Sequence, residues 1–166
     1  IHDVAETEVR GTWFPFMKGG TFKKWFGNQE FVVNWRRNGI EIRADVRQKF
    51  PYLGNNLELV LSSDEYYFRE GVTWTKVSSK GLSTRYMPPG FIIADAGMAF
   101  YPTDNNLFQY LALTNSTFAR YVISSISPTI NFTIGDILAL PIPSGGLSER
   151  LGRLAEMATQ ISLANE

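Results

Sequence analysis

One stretch of the sequence, from Lys18 to Trp35, combines residue types that could bind a polyanion. It reads KGGTFKKWFGNQEFVVNW and holds three lysines, a pair of glycines, asparagines and large aromatic side chains. Lysine and asparagine side chains can donate hydrogen bonds to phosphate oxygens or base edges, and glycine lets a backbone approach a neighbour closely. The chemistry that this stretch predicts is binding, with the aromatic side chains anchoring the segment in a core.

The distribution of charge points the same way. The formal net charge of the 166-residue chain is zero, yet nine basic and three acidic residues lie between Arg10 and Lys49. A local excess of this kind is typical of a surface that binds a polyanion, and it also occurs on faces that contact only solvent. Both interpretations stay open at this point.

Residues for familiar catalytic centres are sparse. Because cysteine is absent, the sequence excludes disulfides, thiolate zinc sites and cysteine nucleophiles. His2 is the one histidine, and its position near the start of the chain favours a surface role. Among the carboxylates only Asp64 and Glu65 are adjacent, and no spacing predicts an acid and base pair or a metal site. Gly19-Gly20 does not continue into the Gly-Lys-Ser/Thr of a phosphate-binding loop.

The elements that must position the Lys18 to Trp35 stretch begin with a predicted hairpin. The run EFVVNW is rich in β-branched and aromatic residues, and IEIR alternates apolar with charged residues. Asn38-Gly39 between them is a strong signal for a type I′ turn, which would carry Arg36 and Arg37 on its flank. A short helix ending near Pro51 follows, and the NNLELVLSSDEYYFREGVTW segment predicts one or two further strands.

The second half of the chain predicts short strands followed by helices. GFIIADAGMAFYP fits two short strands, and two consecutive helices follow, interrupted at Asn115-Ser116. SPTINFTIGDILALPIP predicts a strand and then a helical turn at Gly135-Asp136. The last helix has Ser148 as its N-cap. Its predicted apolar stripe consists of Leu151, Leu154, Ala155, Ala158 and Ile161.

Together these signals predict an α+β fold of short strands with a hairpin, two or three core helices and a long C-terminal helix. We expect one domain over residues 1–166, cut from a larger polypeptide, because the chain begins at Ile1 as if in mid-sequence. No secretion signal and no apolar run long enough to span a bilayer occur, so we expect no membrane association and a cytoplasmic location.

Several segments resemble, in order, the C-terminal region of large adenine-specific DNA methyltransferases. They are KGGTFKKWFGNQEFVVNW, NGIEI, YYFREGVTWTKVSS, LALTNSTFARYVISSISPTINFTIGDILALPIP and the closing helix. The family comprises methylase subunits of type II restriction systems and phage-exclusion (BREX-type) methyltransferases. The resemblance covers nearly the whole chain, from Trp13 to Leu163.

The resemblance implies a target-recognition domain, over about residues 10–146 with a helix over 147–165, that binds duplex DNA. A separate catalytic domain of the same polypeptide would bind S-adenosylmethionine and methylate a flipped adenine. The donor-binding glycine motif and the Pro-Pro-Tyr loop of that domain do not occur here, although Pro88-Pro89 forms a rigid loop. The segment itself is therefore expected to lack a cofactor and catalysis. Charge and the resemblance together give eight candidate DNA contacts: Lys18, Lys23, Lys24, Asn28, Arg36, Arg37, Arg43 and Arg47.

Two other classes of function fit the sequence. The exposed aromatics and the stripe from Leu151 to Ile161 could dock a partner subunit or the catalytic domain of the same polypeptide, as in a scaffold module. Stacking of sugars on Trp13, Trp25, Trp35 or Trp74 would suit a carbohydrate-binding module, a class that the missing secretion signal disfavours.

Overall fold

Two small three-stranded sheets, with helices packed beside them, make up the described part of the chain. The structure is a computed structural model that describes residues 11–61 and 64–166. His2 and Arg10 lie outside these residues. The mixture of short strands and helices, with a long helix at the C-terminal end, confirms the predicted α+β class.

The first sheet carries the Lys18 to Trp35 stretch. Its central strand β1 (Trp13–Met17) pairs antiparallel with the edge strand β2 (Phe31–Asn34), and the two are joined by the loop 18–30. Strand β5 (Ile92–Ile93) pairs parallel with β1 on the other side. One face of the sheet packs on a core that contains Trp35, Tyr67 and Ile92, so the aromatic and β-branched residues of this stretch meet a half-buried, pleated surface that suits them.

The second sheet contains the most buried tryptophan. Strand β3 (Gly71–Thr75) lies between β4 (Thr84–Met87) and β6 (Gly97–Phe100), and both pairings are antiparallel. The Trp74 side chain is fully buried, and its Nε1 donates to the Phe132 carbonyl at 2.8 Å. The indole therefore satisfies its one polar group while its rings fill the core.

The predicted hairpin around Asn38-Gly39 is wrong, because helix α1 (Arg36–Lys49) occupies that region. Arg37, Asn38 and Gly39 adopt left-handed backbone angles, with φ of 48°, 60° and 69°, as a type I′ turn would require. The chain then continues into a helix instead of returning as a strand. The reason is the spacing of apolar residues: Ile42 and Val46, four apart, pack together in a core cluster with Leu53 and Leu57.

The helix expected to end near Pro51 is confirmed and ends at Lys49, and three short 3₁₀ turns follow: Pro51–Leu53, Leu57–Leu59 and Asp64–Tyr66. Some of the strand predictions differ from the structure. Within the described part of the segment between Asn55 and Trp74, the one strand is the start of β3. The strand predicted before Gly135 is reduced to a single bridge between Val77 and Asn131, whereas the two short strands after Gly90 are confirmed as β5 and β6.

The two consecutive core helices are confirmed as α2 (Leu107–Asn115) and α3 (Thr117–Ile126). Ser116 separates them, and its hydroxyl accepts a hydrogen bond from the Ala119 backbone N–H at 3.0 Å, so it caps α3 as expected. The helical turn at Gly135-Asp136 is confirmed as α4 (Ile134–Leu138). In the described ranges, no helix has both the length and the apolar character needed to cross a bilayer.

Helix α5 (Glu149–Ala164) confirms the predicted C-terminal helix but buries a different face. Its buried residues are Gly152, Ala155 and Thr159, which lie against α2. A side chain at Gly152 would come within 2.9 Å of the Gln109 side chain, so small residues set this close packing. Three residues of the predicted apolar stripe, Leu151, Leu154 and Ile161, are exposed instead. The prediction is wrong at these three positions because close packing against α2 requires small side chains, so the size of a residue, more than its hydrophobicity, decides which face is buried.

Candidate nucleic-acid interface

The loop 18–30 between β1 and β2 has an unusual backbone. Besides several glycines, two other residues of the loop have backbone φ angles in the left-handed region: Trp25, with φ of 74°, and Asn28, with φ of 60°. Such angles are uncommon for residues other than glycine and persist only where the surroundings fix them. Strained residues of this kind cluster at functional sites, which makes the loop a candidate site on geometry as well as on charge.

Asn28 and Trp25 hold the loop in place. The Asn28 side chain is only 4% exposed, and its Nδ2 donates to the Thr21 carbonyl at 2.8 Å. Trp25 joins the edge of the second sheet, because its N–H donates to the Thr84 carbonyl and its carbonyl accepts from Tyr86. In this conformation the amide of Asn28 builds the loop and is not presented to a ligand.

Arg85 lies beneath the loop and was missed by the sequence reasoning. It is fully buried, with Nη2 donating to the Thr75 hydroxyl at 3.2 Å and Nη1 to the Lys23 carbonyl at 3.5 Å. Its Nε has no hydrogen-bond partner, and it forms no ion pair with a carboxylate of residues 11–61 or 64–166. Burial lowers the pKa of Arg85 to about 10, so the guanidinium is still charged at neutral pH.

The three lysines of the loop have different surroundings. Lys18 is exposed, and its Nζ lies 5.2 Å from the centroid of the Phe31 ring. Lys23 forms an ion pair of 2.7 Å with Glu166. Lys24 donates to the Asn115 carbonyl at 2.8 Å, and partial burial, with a smaller contribution from the charge of Arg120, lowers the pKa of Lys24.

The arginines of α1 also differ in their surroundings. Arg36, Arg37 and Arg47 are exposed. Arg43 is held from several sides: it forms an ion pair with Asp64, its Nε donates to the Asn38 carbonyl at 2.8 Å, and its guanidinium lies 5.3 Å from the Trp35 ring. The eight candidate residues therefore differ in how far their polar groups are already bound within the protein. Four of the candidates have an exposed side chain and form no ion pair with a described carboxylate: Lys18, Arg36, Arg37 and Arg47.

A cleft beside the loop has the opposite electrostatic character. Its volume is about 680 Å³, and aromatic side chains such as Phe26, Phe91 and Phe108 form much of its lining. Among the described residues, the charged ones that line it are Glu30, Glu156 and Glu166, with no lysine or arginine. Carboxylates repel phosphate, so this cleft is not where a polyanion would bind.

Two of the tryptophans considered as sugar platforms, Trp35 and Trp74, are buried, which removes them from that role.

Comparison with known proteins identifies relatives that are much longer than this chain. The chain is 38% identical over 156 residues to the adenine-specific methyltransferase BrxX of Escherichia coli O9:H4 (strain HS), an alignment that covers 92% of the chain and 12% of that protein. It is 35% identical over 132 residues to the adenine-specific methyltransferase PglX of Lacticaseibacillus casei (strain Zhang), covering 79% of the chain and 11% of that protein. The chain is homologous to a segment of these methyltransferases.

The chain spans about an eighth of the length of the relatives that it matches. No protein-family model matches it. The homology confirms the resemblance to adenine-specific methyltransferases, including the phage-exclusion type, while the assignment of the segment to a recognition region stays a prediction.

Proposed function

We propose that the chain is a DNA target-recognition domain of an adenine-specific DNA methyltransferase that acts in phage defence. The observation that carries the proposal is 38% identity along 92% of the chain to a methyltransferase roughly eight times longer. The sequence carries neither the donor-binding glycine motif nor the Pro-Pro-Tyr loop. A role in choosing the site, with S-adenosylmethionine bound and the methyl group transferred elsewhere in the polypeptide, fits a segment of this composition.

The exposed cations suggest how the duplex would be held. Arg36 and Arg37 stand at the left-handed start of α1, where backbone angles that are rare for arginine and asparagine fix the turn. Their guanidinium groups can form bidentate hydrogen bonds with phosphate oxygens. Lys18 and Arg47 add charge without an ion-pair partner among the described carboxylates. We expect these four residues to contact the backbone of the duplex and thereby orient the domain.

The double variant Arg36→Gln/Arg37→Gln tests this arrangement. Each phosphate contact contributes a slope of about 0.9 to the dependence of log affinity on log salt. We therefore expect the variant to bind a short labelled duplex about tenfold more weakly near physiological salt, with a slope lower by close to 2. Fluorescence anisotropy at several salt concentrations measures both quantities. The matched control is Arg150→Gln/Arg153→Gln on α5, and equal losses in the two variants would argue against a role specific to Arg36 and Arg37.

Binding to DNA does not show that the chain selects a particular base sequence, so this role needs a separate experiment. In that experiment, the chain replaces the homologous residues of the E. coli relative, and the positions of methylated adenines are mapped across a host genome. We expect methylation to move to a new sequence motif. An active chimera that methylates the motif of the unmodified relative would show that this segment does not choose the target.

A second candidate function, docking to the catalytic part of the same polypeptide, is favoured by one face of α5. Leu154, Met157 and Ile161 recur at the spacing of a single helix face and are more than half exposed. This apolar row lies on the side of α5 away from the buried residues Gly152 and Thr159. Because most of the length of the relatives lies outside the matched region, we propose the catalytic part as the occupant of this row. Docking would keep the recognition surface in a fixed position relative to the methyl donor.

The variant Leu154→Lys tests the docking role. We expect the stability and the DNA affinity of the chain itself to change little, since the side chain is exposed. In the chimera described above, we expect the methylation rate to fall about tenfold, the equivalent of losing one buried leucine contact. Gln160→Lys, which adds the same charge at an exposed position off the apolar row, is the control. Equal rates for the two chimeras would remove the apolar row from the docking surface.

A further inference from the structure

The exposed face of α3 is unusually free of negative charge. Between Asp104 and Asp136 the one charged residue in the sequence is Arg120. The solvent-facing positions of α3 carry hydroxyl, aromatic and guanidinium groups, and Tyr121 is 73% exposed. The polar and aromatic members of this face are Thr117, Phe118, Arg120, Tyr121, Ser124 and Ser125. Thr117, Arg120 and Tyr121 can donate hydrogen bonds to an anion, and α3 itself contains no carboxylate.

Two lysines from distant parts of the chain join this face. Arg120 Nη2 donates to the Lys80 carbonyl at 2.6 Å, which places the strand-connecting residue Lys80 beside the helix. Lys24 donates to the Asn115 carbonyl at 2.8 Å, one residue before the cap of α3. The charge of Arg120 contributes to lowering the pKa of Lys24, so the two cations lie close enough to repel each other. The group of Lys24, Lys80 and Arg120 is called the α3 cation group below.

The α3 cation group differs from the basic residues whose charge is neutralised within the protein. Lys23, Arg43 and Lys76 each form an ion pair with a carboxylate. The three members of the α3 cation group form none with the carboxylates of residues 11–61 and 64–166. Like charges held together without a counter-charge destabilise a protein, and an anionic ligand reverses the sign of that effect.

We propose that the exposed face of α3, together with Lys24 and Lys80, binds the phosphodiester backbone of a nucleic-acid strand. The inference rests on the proposed function and adds to it a second backbone contact, away from Arg36 and Arg37 in the sequence. Arg120 offers the planar guanidinium that pairs with phosphate in bidentate fashion. The Thr117 hydroxyl can donate a further hydrogen bond, whereas the Ser124 hydroxyl already donates to the Tyr121 carbonyl at 2.8 Å.

The double variant Lys80→Gln/Arg120→Gln tests the assignment in the 166-residue chain. We expect about tenfold weaker binding of a labelled duplex and a salt slope lower by close to 2. Because phosphate contacts carry no sequence information, the loss should be equal for duplexes of different sequence. Arg150→Gln/Arg153→Gln again serves as the control. Arg120→Lys, which keeps the charge and removes the bidentate fork, should show a smaller loss and guards against a variant that fails to fold.

The outcomes separate this inference from the proposed function. If the unmodified chain binds duplex DNA and the Lys80→Gln/Arg120→Gln variant keeps its affinity and salt slope, the α3 assignment is overturned and the proposed function stands. If the chain binds a single-stranded oligonucleotide through Arg120 but no duplex, the α3 assignment stands and duplex recognition falls.

Discussion

Replacing Gly97 by alanine is expected to lower the free energy of unfolding by about 3 kcal/mol, the upper end of what overpacking of a tight interior costs. A methyl group on Gly97 would lie 2.7 Å from the carbonyl carbon of Met17 and 2.9 Å from the backbone nitrogen of Gly19. These are backbone atoms, so no side chain can rotate away to relieve the contact. Strand β6 and the end of β1 would have to move apart.

Thermal unfolding measures the effect. For a chain of this length, a loss of about 3 kcal/mol corresponds to a lower melting temperature by about 6 to 12 °C. The control is Gly145→Ala, at a position where a methyl group meets nothing within 4 Å. A Gly97→Ala variant that melts within about 1 °C of that control would contradict the steric account.

Substitution of Gly97 is also expected to affect the candidate interface, because this glycine lies where the two sheets meet. Ala94 donates to the Met17 carbonyl at 3.0 Å, next to the start of the loop 18–30. Gly20 in the loop is tied in turn to Thr75 of β3, whose hydroxyl accepts from the Gly20 N–H at 3.1 Å. A shift of β6 therefore displaces the loop that carries Lys18.

Elements determined by local signals could be predicted from the sequence. The Asn115-Ser116 interruption is local, because the Ser116 hydroxyl caps the helix that follows it. The C-terminal helix is also local in origin. The hairpin prediction failed although its turn residues do adopt the left-handed angles that the sequence indicated. The contacts of Ile42 and Val46 with Leu53 and Leu57 favour a helix after those residues, and alternation within IEIR does not reveal them.

The surroundings of the candidate residues could not be predicted, because their partners are distant in sequence. Lys23 is neutralised by Glu166, 143 residues away, and Lys24 donates to a carbonyl 91 residues away. A count of charges between Arg10 and Lys49 treats these lysines as free. The same count leaves out Arg120, whose charge acts on Lys24, and Lys80, whose carbonyl accepts a hydrogen bond from Arg120. The distribution of charge along a sequence thus does not show which cations stay unpaired in the folded protein.

Replacing Arg85 by methionine is expected to raise the stability of the chain by about 2 kcal/mol at neutral pH. The guanidinium is fully buried without a carboxylate among the described residues, its Nε is unpaired, and its two hydrogen bonds are long. Lowering of its pKa to about 10, from 12.5, means that burial disfavours the charged form by roughly 3 kcal/mol relative to an exposed arginine. Loss of two weak hydrogen bonds offsets part of the gain.

The electrostatic account also predicts that the difference in stability between the two chains changes with pH, which a difference in packing alone would not produce. Below pH of about 10 both folded and unfolded states hold the proton on Arg85, and the full penalty of burial applies. As the pH rises through that value, the folded state releases the proton before the unfolded state does, so the original chain gains stability. The advantage of Arg85→Met in urea unfolding should therefore shrink above pH of about 10. A constant difference between the two chains across this range would contradict the electrostatic account.

The same variant is expected to bind DNA less well, although it is more stable. Arg85 holds the Lys23 carbonyl and the Thr75 hydroxyl, which fix the loop from below, and its charge adds to the positive potential there. Arg85→Lys, which keeps the charge but not the fork, separates the two contributions: it should retain the salt slope and lose stability relative to the original chain. A buried cation that costs stability and strengthens binding is what a trade-off between stability and function predicts. If Arg85→Met gains stability with unchanged DNA affinity, the cation has no part in binding.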